Sequence, residues 1–100
     1  MEQKVFSSFE IQQILNPVFS QYNIRKAILF GSYAKGTASE RSDVDLFVDS
    51  GLKGLSFYGF LEDVVTALNK RVDMLDSSQV KIGSEVDLEI KESGMVIYEQ

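Results

Sequence analysis

The sequence contains no cysteine, no histidine and only one proline. Without cysteine there is no disulfide framework and no thiolate zinc site, and without histidine the common imidazole ligand and acid–base group is missing too. Any metal must be held by oxygens. Positive charge is also scarce: a formal net charge of −5 argues against a broad, sequence-independent grip on nucleic acid, which relies on Lys and Arg neutralising phosphates. No apolar run approaches the roughly 20 residues that a bilayer span requires. The N-terminus MEQKVFSSFE has neither a basic n-region nor an apolar h-region, so the expectation is a cytoplasmic protein without membrane association. What is present, 44% hydrophobic and 25% charged residues, is the composition of a folded domain. One hundred residues make a single compact unit, 1–100.

Hydrophobic periodicity divides the chain into elements. Ser7 and Glu10 form a capping-box pattern ahead of Ile11, Ile14, Leu15, Val18, Phe19 and Tyr22 at helical spacing. Pro17 lies too deep for a first-turn position, so it predicts a lost hydrogen bond to the Gln13 carbonyl and a kinked or split helix. Lys26 to Phe30 is a short apolar run ending at a glycine, as a buried strand would. The small or charged residues Thr37 to Ser42 make a loop, and VDLFV then alternates as a strand. Its faces differ in kind: Val44, Leu46 and Val48 on one, Asp43, Asp45 and Phe47 on the other. A second helix carries Phe57, Phe60, Leu61, Val64, Val65 and Leu68 on one stripe, closed by Asn69. RVDML is a third strand. Residues 80–90 alternate as a strand would, yet Ser84 with Asp87 resembles a cap and Gly94 sits where a helix C-cap glycine would. The reading is therefore a helix from about Ser84 to Ser93, followed by a strand MVIYE. The order predicts an α/β (α+β) fold with helices packed on a small mixed β-sheet.

Ten residues, 33–42, separate Gly31-Ser32 from Asp43-Val44-Asp45. Strand alternation puts Asp43 and Asp45 on one side with Cα atoms about 6.5 to 7 Å apart, where they repel unless a cation lies between them. Mg²⁺ takes oxygen ligands and combines one or two carboxylates with water and substrate phosphates. Gly31 lets backbone approach a phosphate, Ser32 adds a hydroxyl donor, a following helical turn aims amides at the anion, and Lys35 adds positive charge. Together these are the parts of nucleotidyl transfer, in which an acceptor hydroxyl is aligned with an α-phosphate as pyrophosphate departs. Asp73 is the candidate third carboxylate, because an amphipathic helix can return its strand beside Asp43 and Asp45. Asp87, in a similar VDL string, reads as a helix cap instead. Asp49, Asp63 and Asp76 read as turn or helix-surface residues and Arg41 as a loop arginine.

LFGSYAKG (29–36), SDVDL (42–46), RVDML (71–75) and GMVIYE (94–99) jointly resemble the minimal nucleotidyltransferases (MNT) of the DNA polymerase β-like superfamily, a likeness covering nearly the whole chain. The resemblance implies the polymerase β-like fold. It further implies an antitoxin whose partner is an all-helical HEPN-domain ribonuclease toxin, silenced by transfer of AMP from ATP, with Mg²⁺, onto a tyrosine. Carried over, Gly31 and Ser32 would bind triphosphate, Asp43 and Asp45 the metal, and Asp73 would complete the acidic triad. Lys35 stands where many relatives carry arginine, replacing a bidentate phosphate contact with a point charge. A basic, RNA-cleaving partner would suit the acidic balance of this chain. Two other readings are compatible with the residues: nucleotidyl transfer to a small molecule such as an aminoglycoside, and a non-catalytic toxin-binding module.

Overall fold

The structure is a computed structural model that describes residues 4–100. Helix α1 (Ser8–Gln21) leads into strand β1 (Lys26–Phe30), the one-turn helix α2 (Ser32–Lys35) and strand β2 (Val44–Asp49). Helix α3 (Leu55–Leu68), strand β3 (Val72–Asp76), a 3₁₀ turn (Ser77–Gln79), helix α4 (Glu85–Ser93) and strand β4 (Met95–Glu99) complete the chain. The strands form one four-stranded sheet in the order β3-β2-β1-β4. β1 runs antiparallel to both β2 and β4, whereas β2 and β3 are parallel and joined through α3. A small mixed sheet with helices packed on it is the expected architecture.

Two helices share one face of that sheet. Ile11, Leu15 and Phe19 of α1 and Phe60, Val64 and Leu68 of α3 bury against Ala27, Leu29, Val44, Leu46, Val48 and Ile97. The Phe19 and Phe60 rings meet at 6.1 Å, and Tyr22 Oη donates to Asp63 Oδ2 at 2.6 Å, locking the helices together. Tyr33 belongs to the same core, so its ring packs rather than facing solvent. On the opposite face α4 lies against β1. No helix among the described residues is long and apolar enough to cross a membrane.

The caps follow the sequence closely. Ser7 Oγ accepts from Glu10 N–H while Glu10 Oε1 accepts from Ser7 N–H, a closed capping box. Asn69 closes α3 in the left-handed region at φ 52°. Residues 85–93 are helical, as the Ser84 and Gly94 positions suggested. One expectation is corrected. Pro17 neither splits nor ends α1, because both Pro17 and Gln13 face water, where the carbonyl that loses its partner can be solvated. Gly94 caps α4 as expected, in an extended conformation, φ −68° and ψ 144°. Its reason is space: a Cβ there would run into the Ile90 carbonyl oxygen and Ile28 Cγ2. Asp76, expected as a turn residue, is buried and accepts from Ser50 and Ser78, backbone and hydroxyl alike.

Candidate functional site

The open face of the sheet carries the predicted carboxylates. β2 alternates between fully buried Val44, Leu46 and Val48 and part-exposed Asp45, Phe47 and Asp49. Parallel pairing sets Asp45 opposite Asp73, and antiparallel pairing sets it opposite Phe30, the last residue of β1. Neighbouring strands lie about 4.8 Å apart, so Asp45 and Asp73 project side by side. Asp43 precedes β2 by one residue. Its loop is fixed by a tight turn in which Ser42 Oγ accepts from Ser39 N–H at 2.9 Å and Ser42 N–H donates back to the Ser39 carbonyl at 3.0 Å.

Gly31 follows Phe30 at φ 72°, a left-handed conformation that glycine tolerates. A Cβ at this position would collide with Asp45 Oδ2. Only glycine therefore allows the bend and the carboxylate to touch. The bend opens α2, whose first amides have no partner within so short a helix and no side-chain cap. Gly36 ends α2 in the left-handed region at φ 76°. Lys35 leans on α4, with Nζ 3.6 Å from Glu89 Oε2.

Electrostatics single out Asp45. Its carboxyl is raised from the ordinary 3.8 to about 6, first by burial and then by the negative charges of Asp73, Glu89 and Asp43. Three acidic groups thus act on Asp45, and a divalent cation beside it would relieve that repulsion. The donor set, carboxylates beside a Cβ-free bend, fits a hard ion such as Mg²⁺ that keeps water and substrate phosphates in its shell. It is not a closed cage: among the described residues no three acidic side chains are already gathered at metal-binding separation. Asp43 is drawn aside by Arg71, whose Nε lies 3.7 Å from its Oδ1. Two protein carboxylates with substrate oxygens suffice for Mg²⁺, so this openness suits an ion that arrives with its nucleotide.

The structure brings Asp43, Asp45, Asp73, Gly31 and Ser32 to one end of the sheet, with Lys35 one helical turn beyond. Asp87 stands apart as a cap: its backbone N–H donates to Ser84 Oγ and its carboxylate accepts from Gly83 N–H at 2.8 Å. Glu89 was missed. Its only signal in the sequence is one acidic position on a helix whose packing partner, β1, lies some sixty residues earlier. Lys70 and Arg71 were also passed over, though they directly precede the Val72-Asp73 pair.

Comparison with known proteins bears on the same geometry. The family model described as Polymerase beta, Nucleotidyltransferase matches residues 12–100. The protein adenylyltransferase MntA of Thermococcus cleftensis is 36% identical over 83 residues, 74% of this chain and 81% of its own. A chain from the crystal structure of a toxin–antitoxin with AMP-PNP matches with TM-score 0.70 at 20% identity, over 89% of this chain and 73% of that one. A chain from the complex of tri-AMPylated Shewanella oneidensis HEPN toxin with MNT antitoxin matches with TM-score 0.63 at 17% identity, over 90% and 71%. At such identities the solved structures speak for the fold, and it is the family model and the adenylyltransferase relative that carry descent. With the family model spanning residues 12–100 and the relative matched over 74% of the chain, the chain belongs to the polymerase beta nucleotidyltransferase family.

Proposed function

We propose that this nucleotidyltransferase moves AMP from ATP, with Mg²⁺, onto a hydroxyl of a partner protein, a tyrosine of a HEPN ribonuclease toxin, and so acts as its antitoxin. The observation that carries the reading is Asp45, held between the Gly31 bend and Asp73 with its carboxyl raised by like charges. The adenylyltransferase relative and the toxin–antitoxin complexes of the same fold support the choice of donor and partner.

In this mechanism the Gly31-Ser32 bend receives the triphosphate through backbone amides and the Ser32 hydroxyl, and Lys35 adds charge nearby. Asp43 and Asp45 would hold the Mg²⁺, which supplies neutralisation of the α-phosphate and of departing pyrophosphate. Asp73, exposed at the start of β3, faces the arriving acceptor and takes its proton. The acceptor oxygen bonds to the α-phosphorus as the bond to pyrophosphate breaks. Asp45 aligns both partners because it touches the bend on one side and neighbours Asp73 on the other.

Incubation with a HEPN partner, ATP and Mg²⁺ should raise the partner's mass by about 329 Da per AMP transferred, and Asp45→Asn should abolish the gain. Mass gain on a small hydroxyl compound instead would replace the protein acceptor with a small-molecule one. A partner neutralised without any mass gain would leave only the non-catalytic binding role.

A further inference from the structure

Beside the candidate nucleotide site, and sharing only Asp43 with it, is a cleft of about 530 Å³ at the end of α3, bordered by Arg41, Asp43, Asn69, Lys70 and Arg71. Three cationic residues and one carboxylate line it, on a chain whose formal charge is −5. Lys70 is the unusual member. Only 8% of the residue is exposed, and a lysine so buried normally has an anionic partner. Here Nζ donates to the Glu40 carbonyl at 3.2 Å and stands 6.0 Å over the Tyr33 ring, and none of the ion pairs among the described residues includes it. An ammonium has three donors, so the two contacts leave charge and donor capacity unspent. Arg71 approaches Asp43 only through Nε, which leaves its terminal nitrogens free to make a forked contact, and Arg41 forms no ion pair among the described residues.

The geometry points to a second anion site in this cleft, taking a phosphate ester or pyrophosphate. It shares Asp43 with the candidate nucleotide site, and the Lys70 ammonium stands 6.0 Å from the Tyr33 ring of α2, the helix that follows the Gly31 bend. The site rests on the nucleotidyl-transfer reading for its biological ligand, and two sources carry the required chemistry. One is the departing pyrophosphate. The other is the phosphodiester left on an acceptor that has already received a nucleotide.

The test uses the ¹⁵N-labelled full chain in EDTA, which removes the divalent cation that would draw phosphates to Asp45. It is titrated in one arm with inorganic pyrophosphate and in the other with the phenyl ester of AMP, a mimic of a nucleotidylated tyrosine. Saturable shifts of the residue 41–43 and 69–71 amides are expected, and the arm that saturates at lower concentration identifies the source. The double variant Arg41→Gln/Arg71→Gln, at exposed positions, should weaken that binding by about tenfold or more through loss of charge-assisted contacts. Lys70→Met should do the same, and the double variant stands in should the buried substitution unfold the chain. Amides that do not move in either arm, or a double variant that binds as tightly as the parent, would overturn the site. A chain that transfers AMP while its cleft stays silent keeps the proposed function and loses this site, and a cleft that binds in a chain without transfer does the reverse.

Discussion

Val44-Asp45-Leu46 and Val86-Asp87-Leu88 are the same tripeptide in two environments. The first is strand and the second is helix. Asp87 is held below the usual carboxylate range by the Gly83 N–H and then by Lys91, whose Nζ lies 3.0 Å away. Asp45 is pushed to about 6 by burial and by Asp73, Glu89 and Asp43. One aspartate is satisfied by its own helix, and the other is left with a charge that the fold does not neutralise. A residue's type therefore says little about whether it is structural or chemical; the donors and charges around it decide.

The contrast breaks most sharply under neutral isosteres. Asp45→Asn should cost about 10³-fold or more in transfer rate while raising the thermal midpoint of the metal-free protein, because it removes a repelled charge. Asp87→Asn should leave the rate within a few-fold and lower the midpoint. Parallel rate and melting measurements on the two variants decide, and a stable, active Asp45→Asn would dissolve the distinction. Next in size, Gly31→Ala places a methyl group where Asp45 Oδ2 sits, at a left-handed φ of 72°. A loss of about 1–3 kcal/mol by denaturant unfolding, with transfer activity falling alongside, is expected.

The two aspartates also predict opposite pH slopes. Asp45 is protonated in both states below its ordinary 3.8; as pH rises toward about 6 the unfolded chain releases a proton that the fold retains, so stability falls across that window. Because the side chain is only half-buried, solvent screening discounts the effect to about 1–2 kcal/mol. Adding Mg²⁺ with a nucleotide should flatten the slope. Asp87, with its lowered value, stabilises the fold above the ordinary carboxylate range and loses that contribution as pH falls through its folded value. Unfolding curves from about pH 2 to about pH 7 for the parent, Asp45→Asn and Asp87→Asn chains separate the two, the Asp45 slope lying above the ordinary 3.8 and the Asp87 slope below it. Smallest is Ser84→Ala, which removes the hydroxyl that caps Asp87 N–H and should cost about 1 kcal/mol by the same unfolding assay without changing transfer.

Local patterns reached far into this fold. Ser7 with Glu10, Asn69, Ser84 and the alternation around Val44 each named an element that the structure contains, because caps and strand faces are set by residues a few positions apart. Pro17 was misjudged as splitting α1 where the deciding fact was tertiary: which side of the helix meets water. In the site, Gly31, Ser32, Asp43, Asp45 and Asp73 were legible because strand ends and alternation place them. The Lys35–Glu89 pair was not, since it joins α2 to α4 across more than fifty residues with no pattern to announce it. Lys70 was invisible for the same reason. Its burial depends on the loop at Glu40 and the ring of Tyr33, neither adjacent in sequence.

The claim at the centre is that the strand-borne carboxylates carry an unmet charge that a divalent cation and its triphosphate satisfy. Side-chain ¹³C NMR of Asp45, followed with pH in EDTA and again with Mg²⁺ and AMP-PNP, tests it directly. The account predicts titration near pH 6 in EDTA and a midpoint displaced well below that on binding. Titration in the ordinary carboxylate range in EDTA, unmoved by Mg²⁺ and nucleotide, would contradict it.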